Sequence, residues 1–228
     1  MTEPAHTRHS LWLPHEAPPE GKRLALHRLA FAIRKTIDLL IETDAPEEEL
    51  VTAAVGAEAF NARLELAPHG RPLWGFAETS TSGDPVGFYD NSPLSGPANP
   101  LAPPLVLRVV GDEVIGHVVF GIAYEGPPGH VHGGFVAAAF DEVLGMVQSM
   151  TGHPGMTGRL TVNYRRPTPL HRDLIFHGRV DRVEGRKIFT TATLHDGETL
   201  CAESEGLFIS VGQERFRELA EATDRAMG

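Results

Sequence analysis

The sequence has a single cysteine, no long apolar run and no surplus of positive charge. Cys201 stands alone and cannot form a disulfide within the chain. Residues 1–13 are polar and lack the basic start and apolar run of a secretory signal. No stretch approaches the roughly 18 uninterrupted apolar residues that a membrane-spanning helix requires. We therefore expect a cytoplasmic protein that does not enter a membrane.

The balance of charge and the missing motifs exclude further classes of protein. Acidic residues outnumber basic ones by 30 to 20, for a formal net charge of −10. Proteins that bind a nucleic-acid backbone usually carry the opposite surplus, so we expect no nucleic-acid partner. The chain lacks a Gly-x-Ser-x-Gly elbow, a Gly-rich phosphate loop and a dinucleotide fingerprint, which disfavours serine hydrolase, P-loop and Rossmann chemistry. Cys201 has no His beside it in the sequence and is not favoured as a nucleophile.

Residues 1–104 are predicted to form a helical and Pro/Gly-rich extension. Apolar residues recur at spacings of three and four between positions 22 and 42, which predicts an amphipathic helix. An acidic start at 47–49 predicts a second helix that reaches about Leu66. Residues 69–104 are rich in Pro and Gly and are predicted to be a connecting arm. We expect the aromatic residues of this arm to pin it onto the core or to line a tunnel: Trp74, Phe76, Phe88 and Tyr89.

From Leu105 onwards the pattern predicts strands around one long helix. That helix follows two glycines and ends near Met150, and the turn signals between later strands include the favoured Asp-Gly pair at 196–197. The six predicted strands cover residues 105–110, 114–123, 157–166, 173–182, 187–195 and 199–211. One helix against one antiparallel sheet is an α+β architecture, best known as the hotdog fold. We therefore assign 105–211 to a hotdog domain and 212–228 to a closing segment with a surface helix at 213–227.

The turn before the long helix can carry chemistry. Residues 124–134 read YEGPPGHVHGG and open directly into the helix. The first N–H groups of a helix have no intrahelical partner, and the helix dipole adds partial positive charge, so this helix start can hold an oxyanion. Gly133 and Gly134 would let a substrate carbonyl approach these donors, as acyl transfer from a thioester needs. We expect the His132 ring to hydrogen-bond the turn rather than to bind a metal, because no recognisable ligand spacing includes it or His130.

An acidic residue lies on a small-residue face of the same helix. On a helical wheel Asp141 shares this face with Gly134, Ala138 and Gly145, whereas Glu142 is about 100° away, so we favour Asp141 as the functional acid. Seven residues separate Asp141 from Gly134, or about 10 Å along the helix axis. One carbonyl cannot easily meet both within one chain. We therefore predict a symmetric dimer in which two chains share each site.

These residues also resemble a known family. The HGG turn with an aspartate seven positions after its second glycine resembles the PaaI-like branch of hotdog thioesterases. The run YEGPPG before HGG, Met156-Thr157 and the run 163–167 (NYRRP) are similar to animal thioesterase superfamily members of carboxy-terminal-modulator type and to bacterial relatives. The resemblance covers about residues 105–211. It implies hydrolysis of acyl-CoA to a carboxylic acid and CoA without metal or cofactor, by a homodimer or a dimer of dimers.

The resemblance also implies roles for single residues. Asp141 would be the general base or nucleophile, the backbone at Gly133 and Gly134 would polarise the thioester carbonyl, and Thr157 would position water or the carboxylate. Positions implied to contact CoA are Asn163, Arg165, Arg186 and Lys187. The sequence itself supports this last group, because Arg165, Arg166, Arg172, Arg186 and Lys187 concentrate cations in an acidic chain.

Two other functions remain open at this point. A hotdog hydratase or dehydratase would use a His with an acid on an acyl thioester, which fits HGG with a single helical Asp less well. A protein that binds or senses acyl-CoA without turnover would keep the same pocket but release no CoA.

Overall fold

A computed structural model describes residues 19–68, 90–103, 105–153 and 155–211 of the chain. The four aromatic residues of the arm and the helix predicted at 213–227 lie outside the described residues. Two helices, α1 (Gly21–Glu42) and α2 (Glu47–Glu65), precede the sheet, as the sequence predicts. A third helix, α3 (Gly133–Ser149), follows the second strand.

The described strands form one antiparallel sheet in the order β1-β2-β4-β5-β6-β3. They are β1 (Val106–Val110), β2 (Glu113–Val118), β3 (Gly155–Tyr164), β4 (Leu174–Glu184), β5 (Lys187–Asp196) and β6 (Thr199–Ser210). The predicted α+β hotdog arrangement is confirmed. The expected second strand, 114–123, was too long, because a 3₁₀ turn at Ile122–Tyr124 replaces its end and the Ala123 N–H donates to Asp38 instead of to a neighbouring strand.

The core lies between α3 and the sheet. One face of α3 packs on the strands β2 to β6 with its bulky residues, which are at most 1% exposed: Val136, Phe140, Val143, Leu144 and Val147. Gly178 of β4 permits the close approach, because a Cβ at this position would lie 2.8 Å from the Val147 side chain. This packing leaves the small-residue face of α3, with Asp141, directed away from the middle of the sheet.

The helix α1 is held mainly by polar side chains. Arg34 donates to the carbonyl oxygens of Asn99 and Ala102, both at 2.8 Å, and Arg23 pairs with Asp90. Ala30 is the buried residue of α1, and α2 has none. The predicted amphipathic helix is present, but much of its apolar face is not covered by the described part of this chain: Leu24, Leu26, Leu40 and Ile41 are each more than 40% exposed.

Candidate active site

A tight loop positions the start of α3. Gly126 donates to the His130 carbonyl, and a Cβ on Gly126 would lie 2.7 Å from the Cα of His132, so the chain can pass here only at glycine. His132 is the N-cap residue of α3, and its Nδ1 accepts a hydrogen bond from the Gly134 N–H at 3.0 Å. Because Nδ1 is the acceptor, the neutral ring carries its proton on Nε2. The helix start is thereby held in one conformation.

This cap separates the two predicted oxyanion donors. The Gly134 N–H is occupied by the His132 ring. The Gly133 N–H, by contrast, has no hydrogen-bond partner among the described residues. The carbonyl of His132 accepts from Phe135 and Val136, which fixes the peptide plane that carries the Gly133 N–H. The helix start therefore offers Gly133 as its free donor.

Tyr164, which the sequence did not single out, supports the same turn. Its hydroxyl donates to the Gly133 carbonyl at 2.7 Å, so the peptide between Gly133 and Gly134 is held at both ends. Leu160 and Val162 pack against the core, and Tyr164 continues this alternation along β3. The period of two from Leu160 was the signal that could have found this residue. A cavity of about 750 Å³ lies beside the turn and is lined by Tyr164, Arg165 and Arg166 among others; we call it the helix-start cavity.

Thr157 and Asp141 lie together in the structure. The Thr157 hydroxyl donates to Oδ1 of Asp141 at 2.9 Å. A β-bulge between Thr157 and Arg159 makes this possible. Without the extra residue Gly158, the alternation from Leu160 would direct Thr157 to the outer face; with it, Thr157 pairs with buried Phe208 on the face that carries α3.

The Asp141–Thr157 pair borders a second cavity, of about 410 Å³, which we call the carboxylate cavity. Its apolar lining comes from the segment before β1, from α3 and from three strands: Pro93, Leu94, Leu107, Met146, Met156 and Phe208. Glu142 also lines it, but its carboxylate accepts hydrogen bonds from the hydroxyls of Ser92, at 2.8 Å, and Ser95. The Asp141 carboxylate therefore accepts a hydrogen bond from the Thr157 hydroxyl. The Glu142 carboxylate instead attaches the segment that contains Ser92 and Ser95.

The predicted CoA-binding residues lie at two ends of the sheet. Ile209 of β6 pairs with Met156 on one side and Lys187 on the other, so Arg186 and Lys187 are at the end where Thr157 lies. Asn163 and Arg165 are at the far end of β3, about 20 to 25 Å away at about 3.3 Å per residue. Arg165 forms an ion pair with Glu203, and Nε of Arg186 donates to the Ser210 carbonyl at 3.0 Å.

The site predicted from the sequence is thus divided within one chain. One end of the sheet, beside the helix-start cavity, carries the Gly133 donor, His132, Asn163 and Arg165. The other end, beside the carboxylate cavity, carries Asp141, Thr157, Arg186 and Lys187. Gly133 and Asp141 are eight residues apart on α3, or about 12 Å along its axis.

Within the part of the chain that the structure describes, the buried groups Cys201 and Tyr124 do not add a second reactive centre. Burial raises the pKa of the Cys201 thiol, which disfavours the thiolate. Burial likewise raises the pKa of Tyr124 to about 12, so this hydroxyl stays neutral and donates to the Leu101 carbonyl. Within the described ranges, no group of three or more His, Cys, Asp and Glu residues could hold a metal ion. Among the described helices, none is both long and apolar enough to cross a bilayer.

Comparison with known proteins identifies the family. The family model described as Thioesterase superfamily matches residues 128–203, which contain the helix start, Asp141 and Thr157. A thioesterase superfamily protein of known crystal structure is 36% identical in sequence to this chain, and the two structures superpose with a TM-score of 0.74. The match covers 85% of this chain and 97% of that protein. The chain belongs to the thioesterase superfamily. Residues 105–228 make up only about half of this chain. Because the match covers 85% of the chain, the likeness extends into the N-terminal extension.

Curated relatives of this superfamily member carry a more specific name. Acyl-coenzyme A thioesterase THEM4 of Bos taurus is 39% identical over 93 residues, which are 40% of this chain and 38% of that protein. The protein of the same name from Xenopus laevis is 39% identical over 89 residues, 38% of this chain and 40% of that protein. The chain spans about two fifths of the length of these curated relatives.

Proposed function

We propose that this protein hydrolyses acyl-CoA thioesters to a carboxylic acid and CoA. The observation that carries the proposal is the Asp141 carboxylate, oriented by the Thr157 hydroxyl at the edge of an apolar cavity. A carboxylate that activates water beside an apolar pocket fits attack on an acyl group better than it fits silent binding. Hydrolysis is tested by incubating the purified protein with a panel of acyl-CoAs and measuring free thiol. Binding of acyl-CoA without release of thiol would instead favour a sensor. Addition or removal of water in the acyl group, with the thioester intact, would favour a hydratase or dehydratase.

The geometry supports a simple course of reaction. Asp141 accepts a proton from water, and the oxygen of that water forms a bond to the thioester carbon. The negative charge that develops on the carbonyl oxygen is stabilised by the Gly133 N–H. The C–S bond then breaks, and the CoA thiolate leaves and takes up a proton. If Asp141 is instead the nucleophile, its carboxylate displaces the CoA thiolate and forms an acyl anhydride. Water that attacks the aspartyl carbonyl of this anhydride releases the acid with one oxygen of Asp141, so solvent oxygen-18 in the Asp141 side chain after one turnover identifies this course.

We propose further that two copies of the chain form each site. β3 ends the sheet and leaves one edge unpaired among the described strands, and such an edge can pair with the same strand of a second copy. Antiparallel pairing about the middle of β3 would bring the Thr157 end of one copy beside the Arg165 end of the other. Each Asp141 would then face a Gly133 N–H of its partner. The divided CoA-binding residues would come together by the same operation.

The Thr157 hydroxyl makes a testable contribution. We expect Thr157→Val to lower kcat by about 10- to 100-fold, because a hydrogen bond to a charged group contributes roughly 1.5 to 3 kcal/mol. Thr157→Ser keeps the hydroxyl and is the matched control, with kcat within a few-fold of the parent. Steady-state kinetics on one acyl-CoA measure both. Equal kcat values for the Val and Ser variants would remove the hydroxyl from the mechanism.

The cations at the two ends of the sheet are proposed to meet CoA phosphates. Arg165→Ala and Lys187→Ala are expected to raise KM for CoA esters several-fold with little change in kcat, and more at low salt, because the contact is with phosphate and is screened by ions. Lys35→Ala on the exposed side of α1 is the control for loss of one positive charge. A short thioester without CoA should be hydrolysed equally by all of these proteins; if it suffers as much as the CoA ester, the assignment is wrong.

The charge of the cavity lining also predicts the substrate class. The described lining of the carboxylate cavity contains Asp141 and Glu142 and neither Lys nor Arg. A second carboxylate at the far end of an acyl group would meet like charge in a partly desolvated place. The cavity therefore favours uncharged acyl groups.

A cytoplasmic location of the protein stays a prediction.

A further inference from the structure

A segment of the N-terminal extension forms part of the carboxylate cavity. Ser92, Pro93 and Leu94 line it together with residues of the hotdog domain. The sequence predicts only a connecting arm here, at the end of a Pro/Gly-rich stretch. The structure instead places these residues beside the Asp141–Thr157 pair, so a boundary at residue 104 does not separate the extension from the site.

The segment is attached to α3 by hydroxyl groups. Ser92 is 3% exposed, and its Oγ donates to Oε1 of Glu142 at 2.8 Å. The Ser95 hydroxyl donates to the same carboxylate oxygen. Ser92 Oγ also accepts from the N–H groups of Leu94 and Ser95, both at 3.2 Å. Glu142, one residue after Asp141 on α3, therefore fixes the conformation of the chain around Leu94.

The same segment is attached to α1 on its other side. Nε and an Nη atom of Arg23 donate to the two carboxylate oxygens of Asp90 at 2.6 and 2.8 Å, and Nε2 of His27 lies 3.1 Å from Oδ2. Burial alone would raise the pKa of Asp90, but the hydrogen bonds and charge of Arg23, together with the nearby His27 ring, outweigh it and hold the pKa below its usual value. The carboxylate is thus ionised and bound by Arg23 through both of its oxygens, with His27 of the same helix close to Oδ2.

Between these attachments the backbone is wound tightly. The Gly96 N–H donates to the Ser92 carbonyl at 3.0 Å, and the Ala98 N–H donates to the Asp90 carbonyl at 2.9 Å. A Cβ on Gly96 would lie 2.5 to 2.6 Å from three backbone atoms of Asp90 and Ser92, so only glycine fits. A loop with this many internal contacts presents a fixed wall and not an adjustable one.

We propose that this segment is the wall that limits the acyl chain, with Leu94 as its specificity-determining side chain and Glu142 as the residue that positions it. The inference rests on the proposed acyl-CoA hydrolysis and names the part of the substrate that the N-terminal extension contacts. Leu94 is half-buried, faces the cavity with Pro93, and is the aliphatic side chain that the segment contributes to the lining. Gly145 of α3 also lines the cavity, but it has no side chain and the space beside it is open, because a Cβ built there would have no described atom within 4 Å. Gly145 therefore does not limit the acyl chain.

The test compares acyl chains of different length on Leu94 variants. The quantity measured is the ratio of kcat/KM for dodecanoyl-CoA to kcat/KM for acetyl-CoA. We expect Leu94→Ala to raise this ratio about tenfold and Leu94→Trp to lower it about tenfold, since each methylene of buried contact changes binding severalfold. Leu101→Ala is the matched control, because Leu101 lies on the same segment and is 60% exposed. Unchanged ratios in both Leu94 variants would overturn the proposal.

The positioning role of Glu142 has its own readout. Glu142→Ala should loosen the wall and bring the two kcat/KM values closer together, whereas Glu142→Gln keeps an acceptor for the serine hydroxyls and should restore most of the discrimination. Amide exchange at residues 92–98 should be faster in the Ala variant and close to the parent in the Gln variant. If discrimination falls equally in both variants, Glu142 acts through its charge and not by holding the segment, and its positioning role is wrong.

Failure of this inference can be distinguished from failure of the proposed hydrolysis. Calorimetric titration of the Asp141→Asn protein with the same acyl-CoAs measures chain-length preference without turnover. A preference that shifts with Leu94, in a protein whose parent releases no thiol, would retain the wall and reject hydrolysis. Normal thiol release with chain-length preferences that ignore Leu94, in both titration and kinetics, would retain hydrolysis and reject the wall.

Discussion

Asp141→Asn is expected to lower kcat/KM for acyl-CoA by at least about a hundredfold, because an amide can neither accept a proton from water nor form an acyl anhydride. The amide still accepts the hydrogen bond from Thr157, so the local geometry should persist. Binding of acyl-CoA should therefore survive, and calorimetric titration measures it. The loss should appear in kcat.

The matched control is an acid of the same type away from both cavities. Asp112 lies exposed in the turn between β1 and β2, and Asp112→Asn removes the same charge there. Its kinetic constants should equal those of the parent. A folded Asp141→Asn protein with full activity would exclude Asp141 from the mechanism, whatever the substrate.

The second large effect is expected from Gly133→Pro, which deletes a single N–H group. Gly133 is the first residue of α3, the helix position that proline tolerates best, and His132 before it has φ −60° and ψ 131°, which proline also permits. Loss of one oxyanion donor typically lowers kcat by about 100- to 1000-fold. Gly133→Ala keeps the N–H, and its Cβ would lie 3.4 Å from the Tyr164 hydroxyl, an ordinary contact, so it is the control.

A mixture of the two inactive proteins then tests the shared site. A dimer of one Asp141→Asn chain and one Gly133→Pro chain would contain one site with both groups intact and one with neither. Activity should reappear as subunits exchange and approach a quarter of the parent's in an equal random mixture: half of the dimers are mixed, and each has one of two sites intact. Native mass measurement confirms the exchange. If exchange is proven and activity does not return, the shared site is wrong. Asp141 and Gly133 then act within one chain, or they take no part in the reaction.

The fold and the position of Asp141 on α3 could be predicted from the sequence because they depend on periodicity. The helical repeat identified the buried face of α3 and the opposite face of Asp141, and both are as expected. The end of β2 was wrong, because a strand pattern of apolar residues does not reveal that Ala123 hydrogen-bonds Asp38, 85 positions earlier.

The remaining parts of the site depend on contacts between distant positions. Ser92 and Glu142 are 50 residues apart, and composition alone described the segment around Ser92 as a connector. Arg165 and Lys187 both belong to a basic group in the sequence, but the pairing of the strands places them at opposite ends of the sheet. The His132 ring occupies the Gly134 N–H, a choice between two neighbouring donors that no sequence pattern makes.

The bulge at Gly158 affects how equivalent positions should be assigned in other proteins. The extra residue reverses the alternation of β3, so the side chain beside Asp141 is that of Thr157. In a strand without the extra residue, the side chain aligned with Gly158 would take that place, because successive residues point to opposite faces. A sequence alignment that matches column to column would then pair the functional hydroxyl with a residue on the wrong face. Comparison of the superfamily at this strand should follow which side chain faces α3, and not the count of residues from the HGG turn.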